Sequence, residues 1–311
     1  MGKYENINAK RERNKELFNE TLMIIEDTVS LKNQQEVSIK NTRAISPIKS
    51  DEYLHWENIV LDIDKKDNEK GSIMCNIKVT RNRTFKAVKK LRDSGLKNEK
   101  IVVLNFASAT TPGGGVLFGS SAQEESLCRV STLYNSLISH KVKIYYEMNK
   151  HCKNRYYTDW MIYTPEVVVF RNDDFETMNM LPIEEWYDCN VITCPAPNMR
   201  QQRMKNQFNP DDNIGIIPPN ATSEYKKIMK NRIRRILATA ERMGNTHVIL
   251  GAYGCGAFRN DPAIVSQLFK EVIIDEGFGY LFEYIEFAIY CRPYDTINNK
   301  IFYDTFKPYM R

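Results

Sequence analysis

The chain has 311 residues, 42% of them hydrophobic and 27% charged, with a formal net charge of +5. This is the composition of an ordinary soluble globular protein, one large domain or two small ones, and no run approaches the roughly 18 apolar residues of a membrane span. The charge is compatible with a polyanionic partner without pointing to one.

The polar, charged start "MGKYENINAKRERNKELF" argues against a secretory signal, and Met-Gly followed by Glu5 and Asn6 is a poor myristoylation site. Seven cysteines form no C-x-x-C pair, and the four histidines are scattered. That argues against a structural zinc site and a disulfide framework, and for a reducing cytoplasm, or a nucleus if the source is eukaryotic.

In chain order, residues 8–28 read as a helix whose partly apolar face carries Leu17, Leu22, Ile24 and Ile25. Residues 29–70 read as polar and irregular, with one candidate strand in "NIVLDI" (58–63). Residues 1–70 are therefore expected as a helical and irregular extension packed on a core formed by 71–311. From residue 72 strands and helices alternate. "SIMCNIKVT" (72–80) predicts a strand and "RTFKAVKKLRDSG" (83–95) a helix closed by Gly95. "IVVLNFA" (101–107) is a continuous apolar run suited to a strand buried on both faces. Residues 123–138 then space Leu127, Val130, Tyr134, Leu137 and Ile138 along one helical face.

Further strands are expected at 166–170, 190–197, 246–252 and 284–291, and helices at 222–243 and 261–275. Asp261 and Pro262 make a good helix entry. Basic clusters at 81–92 and 226–235 read as the solvated faces of two of these helices. The order predicts a three-layer α/β sandwich around a mixed, mostly parallel sheet.

Two glycine loops stand out. Gly113, Gly114 and Gly115 follow one predicted strand, and "GAYGCGAF" (251–258) follows another. In an open α/β sheet the ligand crevice lies beyond the carboxyl ends of the strands. Glycine turns there let backbone N–H groups, aided by a helix N-terminus, hold an anion. Neither loop carries the P-loop lysine, and Arg259 stands where a dinucleotide fingerprint needs its third glycine. Phe258 reads either as a stacking platform or as core packing. Gln123, Glu124 and Glu125 open the next helix, where acidic residues also favour the helix dipole.

"NFASATTPGGGVLFGSSAQEE" matches the signature of the poly(ADP-ribose) glycohydrolases: three glycines, a short spacer, then Gln-Glu-Glu. "IYTPEVVVFRND", "VITCPAPN" and "GAYGCGAFRNDP" are similar to further stretches of the microbial type of that family. The resemblance implies a macrodomain core and hydrolysis of the ribose–ribose bond of poly(ADP-ribose). It makes Glu125 the catalytic acid/base and has Glu124 hold the hydroxyls of the ribose at the scissile bond. Gly113, Gly114 and Gly115 would wrap the diphosphate and distal ribose from one side. Gly251, Ala252, Tyr253, Gly254, Cys255, Gly256, Ala257 and Phe258 would cover it from the other. Asn105 would stand near the distal ribose, and Gln123 is counted among the substrate contacts. Acting as an acid near neutral pH requires burial and a neighbouring carboxylate to hold the proton.

The resemblance implies no cofactor and no metal. It implies ADP-ribose polymer or poly(ADP-ribosyl)ated protein as partner, and neither a membrane nor a specific nucleic-acid sequence. A compact form suggests exo action. The alternatives are a mono-ADP-ribosyl hydrolase and a macrodomain reader that does no chemistry.

Overall fold

Strand periodicity decides the architecture, because successive side chains of a strand point to opposite faces. In the strand Ile101–Phe106, Ile101 and Val103 join one apolar core while Val102 and Leu104 join another. A strand buried on both faces needs helices on both. The computed structural model, which describes residues 7–47, 75–96, 100–174, 177–200, 222–292 and 295–310, has that arrangement.

Seven strands are described: β1 (Arg43–Ile45), β2 (Asn76–Thr80), β3 (Ile101–Phe106), β4 (Met161–Val169), β5 (Tyr187–Cys194), β6 (His247–Leu250) and β7 (Tyr284–Ala288). Their order across the sheet is β1-β4-β5-β3-β6-β7-β2. The pairs from β5 through β3, β6 and β7 to β2 are parallel, and β4 is antiparallel to both β5 and β1. The sheet is thus mixed and mostly parallel, as expected.

One face is covered by α1 (Ile7–Asp27), α3 (Thr84–Asp93), α4 (Gln123–Val130), α5 (Leu133–Leu137) and α6 (Lys143–His151). The other carries α7 (Ser223–Arg242), α8 (Pro262–Lys270) and α9 (Ile297–Phe306). Asp261 caps α8 by accepting a hydrogen bond from Ala263 N at 2.8 Å, with Pro262 in its first turn.

Four expectations need correction. Residues 29–41 are not irregular but form α2 (Val29–Asn41), and β1 follows it into the sheet beside β4. The buried stripe of α2 is Leu31, Gln35 and Ser38, so its inward face is mostly polar and gives no apolar rhythm. Gln35 Oε1 accepts from Asn135 Nδ2 (2.6 Å), and Ser38 Oγ donates to Pro165 O (2.7 Å). The helix expected over 123–138 is cut at Ser131, whose extended backbone bridges Val169 while its hydroxyl donates to Leu127 O at 2.8 Å. The helix expected over 261–275 leaves α geometry after Lys270, and Glu271–Asp275 continue as a π turn. Arg232, within the second basic cluster, is fully buried rather than solvated, held by Asp159 and the carbonyls of Tyr156 and Pro195. The strand expected at 58–63 lies outside the described residues.

Helix α1 enters the core through Phe18, which is 1% exposed and sets its ring edge-on to Tyr134 at 4.9 Å between centroids. Truncating such a side chain removes buried apolar area and leaves a cavity. Phe18→Ala should therefore destabilise the protein by about 3 kcal/mol, read as a lower urea midpoint with an unchanged slope.

Candidate active site

The parallel strands end together, and β3 and β6 are neighbours whose following helices depart to opposite faces: α4 joins one core and α8 the other. A crevice opens where the chain diverges in this way. Both glycine loops flank it.

At the end of β3, Asn105 is fully buried. Its Nδ2 donates to Thr193 Oγ1 on β5 at 3.1 Å and to Glu124 Oε1 at 3.4 Å. The chain then turns through Gly113 and Gly114 at φ +65° and +59°, a left-handed conformation that disfavours other residues. Gly114 is constrained a second time. A Cβ there would stand 2.6 Å from Glu125 Oε1 and 3.0 Å from Glu124 Oε2. The glycine run lets the loop close onto the two carboxylates.

Those carboxylates belong to the first turn of α4, where Glu124 is 2% and Glu125 7% exposed. Glu124 Oε2 accepts from Ser108 N at 2.7 Å, and Ser108 O in turn accepts from Tyr145 OH at 3.2 Å. Burial pushes the Glu124 carboxyl up to about 8, and the charge of Glu125 adds to the rise. The N–H groups of Ser108 and Gly113 and the Asn105 amide pull the other way without cancelling it. Glu125 Oε1 accepts from Gly115 N at 2.8 Å. Its Oε2 is buried without a partner among the described residues, and so is Asn105 Oδ1. Leaving a buried acceptor unmade costs about 1–3 kcal/mol. Two of them beside one crevice mark the place where a ligand's hydroxyls would bond.

Gln123 occupies a different position from the one expected. Its Oε1 accepts from Phe106 N (2.7 Å), and its Nε2 donates to Leu104 O (2.8 Å) and Thr84 Oγ1 (3.1 Å). The amide sews α4 to the end of β3 and the start of α3. The residue still borders the cavity, but its polar atoms serve the framework.

The second loop is shaped by close approach. A Cβ on Gly251 would meet the Phe106 ring at 2.8 Å, and one on Gly254, at φ +74°, would meet Asn260 Nδ2 at 2.5 Å. Asn260, which the sequence reading did not single out, pins this loop. Its Nδ2 donates to Gly254 O and Pro197 O, and its Oδ1 accepts from Tyr225 OH. Tyr253 is fully buried and packs near Phe106, with ring centroids 5.9 Å apart. Burial pushes the Cys255 thiol up, so it is a packing group rather than a nucleophile. Phe258 is half-buried between the Tyr157 ring and the Arg200 guanidinium.

Between the second loop and the start of α4 lies a cavity of about 280 Å³, whose lining does not include the glycine run, Glu124 or Glu125. Gln123, Phe106 and Ala252, Gly254, Gly256, Ala257 and Phe258 of the second loop line it. Another wall, absent from the sequence reading, is Arg83, Asp173 and Tyr290. Arg83 Nε donates to Asp173 Oδ1 at 2.8 Å, and its guanidinium lies 5.2 Å from the Tyr290 ring centre. Asp173 also accepts from Phe85 N at 3.0 Å. No spacing marks these three, because they come from separate segments, after β2, β4 and β7, that only the folded chain brings together.

Helix α1 braces the site from outside. Asn14 Nδ2 donates to Gly119 O at 2.9 Å, and Thr21 Oγ1 donates to Arg129 O at 2.5 Å. Buried Arg129 returns a bond from Nη1 to Ser120 O at 2.6 Å.

A macrodomain-like sandwich with a paired-glutamate helix start beneath a glycine loop defines a class of ADP-ribose-directed proteins. Residues 18–172 match the family described as microbial-type PARG, catalytic domain, PARG being poly(ADP-ribose) glycohydrolase. The Deinococcus radiodurans poly(ADP-ribose) glycohydrolase, solved with ADP-ribose, is 32% identical at a TM-score of 0.70, over 89% of this chain and 98% of that one. The Thermomonospora curvata enzyme is 28% identical at a TM-score of 0.74, over 95% and 100%. A further structure of the latter holds the inhibitor ADP-HPD. No curated protein sequence matches the chain. The chain belongs to the microbial-type poly(ADP-ribose) glycohydrolases, glycoside hydrolases of the ADP-ribose polymer.

The raised Glu124 carboxyl has a consequence for stability. Unfolded, the group ionises near 4.5; folded, it holds its proton to about 8. Its contribution is fully present below the lower value and is lost as pH rises through the upper one. Urea unfolding between pH 5 and 8.5 should therefore show wild type losing stability relative to Glu124→Gln. Parallel curves would refute the assignment.

Proposed function

We propose that this glycohydrolase releases ADP-ribose from the end of the polymer, with Glu125 as the single acid/base and Glu124 as the anchor of the ribose at the scissile bond. The observation that carries the reading is the state of the Glu125 carboxylate. One oxygen is fixed by Gly115 N at 2.8 Å, and the other is buried and unpartnered. A carboxyl group held by one oxygen keeps the other in a defined position for proton transfer.

The protonated carboxyl of Glu125 gives its proton to the departing ribose oxygen as the bond from the anomeric carbon to that oxygen breaks. The oxocarbenium-like sugar that remains is stabilised by the nearby diphosphate. The Glu125 carboxylate then takes a proton from water as the water oxygen bonds to the anomeric carbon. One group thus serves both halves, and each proton is accounted for. Glu124, kept neutral near pH 7 by burial, can donate to a ribose hydroxyl. The second glycine loop supplies backbone N–H groups for the diphosphate and Phe258 a face for the distal ribose, while the N–H groups of Gly113, Gly114 and Gly115 are held by Glu124, Thr111 O and Glu125.

The physiological substrate is poly(ADP-ribosyl)ated protein, and the seven free thiols fit a reducing cytoplasm.

Glu125→Gln should lower kcat on poly(ADP-ribose) by at least about a thousandfold, within the span of removing an acid/base, while ADP-ribose binding by calorimetry stays within a few fold. Retained turnover would refute the role. Loss of binding as well would mean that Glu125 only holds the loop. Early digests of long polymer should contain free ADP-ribose and no short oligomers; oligomers at the first time points would overturn exo action.

A further inference from the structure

The turn between the glycine run and the glutamates presents two large apolar side chains that the fold does not bury. Leu117 is 53% and Phe118 70% exposed. Their backbone is nonetheless held. Phe118 N donates to Gly115 O at 2.9 Å, and Gly119 N donates to Val116 O at 3.1 Å. Gly119, at φ +72°, lies against the Arg11 carbonyl so closely that no Cβ would fit, and Asn14 grips its oxygen. An exposed ring on a pinned turn is unlike the scattered surface residues that need no explanation.

Its neighbours are informative. Gly115, three residues before Phe118, donates the N–H that holds Glu125. Arg11, whose backbone abuts Gly119, is exposed and has no ion pair among the described residues. An exposed aromatic ring therefore stands on the same short turn as the N–H that holds Glu125, and the backbone of exposed Arg11 lies against that turn.

We propose that Phe118, with Leu117 beside it and Arg11 from α1, forms the subsite for the ADP-ribose unit on the leaving side of the scissile bond. The proposal rests on the hydrolase reading above. The occupant follows from the substrate. The oxygen released at Glu125 belongs to a ribose that itself carries an adenine and continues into a diphosphate. A base stacks on any aromatic face without needing hydrogen-bond readout. A guanidinium suits a diphosphate in charge and in geometry. The base lies on Phe118 and the diphosphate on Arg11, so the subsite selects polymer over single ADP-ribose adducts. The unit held between the glycine loops is bound without it.

Steady-state kinetics on two substrates test this: poly(ADP-ribose), and an aryl glycoside of ADP-ribose that lacks the neighbouring unit. Phe118→Ala should raise KM for polymer at least about fivefold, the weak end of base–aromatic stacking, and Phe118→Trp should restore it. Arg11→Ala should raise the polymer KM and flatten its dependence on salt. All three variants should handle the aryl glycoside as wild type does. An unchanged polymer KM in Phe118→Ala would sink the subsite alone. Equal losses on both substrates would also sink it, showing a ring that merely props the loop. Wild type inactive on both substrates would remove the hydrolase reading and the subsite with it.

Discussion

Two carboxylates on adjacent residues, both buried, are the constraint around which the molecule is arranged. Like charges that close cannot both ionise cheaply away from water. The protein answers with hydrogen-bond donors at both and with burial that keeps the proton on Glu124. Ser108 N and the Asn105 amide face Glu124, and Gly115 N faces Glu125. The donors can approach only because Gly114 has no Cβ. The glycine run thus does more than expose N–H groups to a ligand, since it also lets the loop fold onto its own acids.

Placing those acids requires parts of the chain far away in sequence. Gln123 fixes the start of α4 to β3 through Phe106 N and Leu104 O. Asn14 of α1 holds the outer edge of the same loop at Gly119. On the other side of the crevice, Asn260 ties the second loop to the segment after β5 and to α7. Each tie is a side-chain amide bonded to atoms distant in sequence, an arrangement that gives a polar network a single geometry. The N-terminal helix is in this respect part of the site's scaffold.

The fold explains why the two loops face each other. β3 and β6 are hydrogen-bonded neighbours, and their outgoing helices leave to opposite faces. The two loops then follow neighbouring strands at the same end of the sheet, while the sheet below stays packed on both sides.

Much of this was legible in the amino-acid sequence. The apolar run of β3, the glycine runs and the Asp-Pro entry to α8 obey local rules, in which backbone freedom, capping and side-chain period act between near neighbours. The Gln-Glu-Glu triplet at its distance from three glycines was specific enough to indicate the family. What escaped was carried by contacts between distant residues. α2 buries Gln35 and Ser38, so its inward face has no apolar rhythm to read, and the break at Ser131 exists because Val169 comes to pair there. Gln123 looked like a ligand contact, yet its amide is engaged by strand atoms that only the folded sheet brings near. The wall of Arg83, Asp173 and Tyr290 belongs to the same class. The sequence by itself determined the class of fold, the loops and the identity of the acids, because these rest on backbone propensity and local spacing. Tertiary structure alone decided that Glu124 is held neutral and that Glu125 Oε2 and Asn105 Oδ1 are left without partners among the described residues, because burial and hydrogen-bond partners are properties of the assembled sheet and helices.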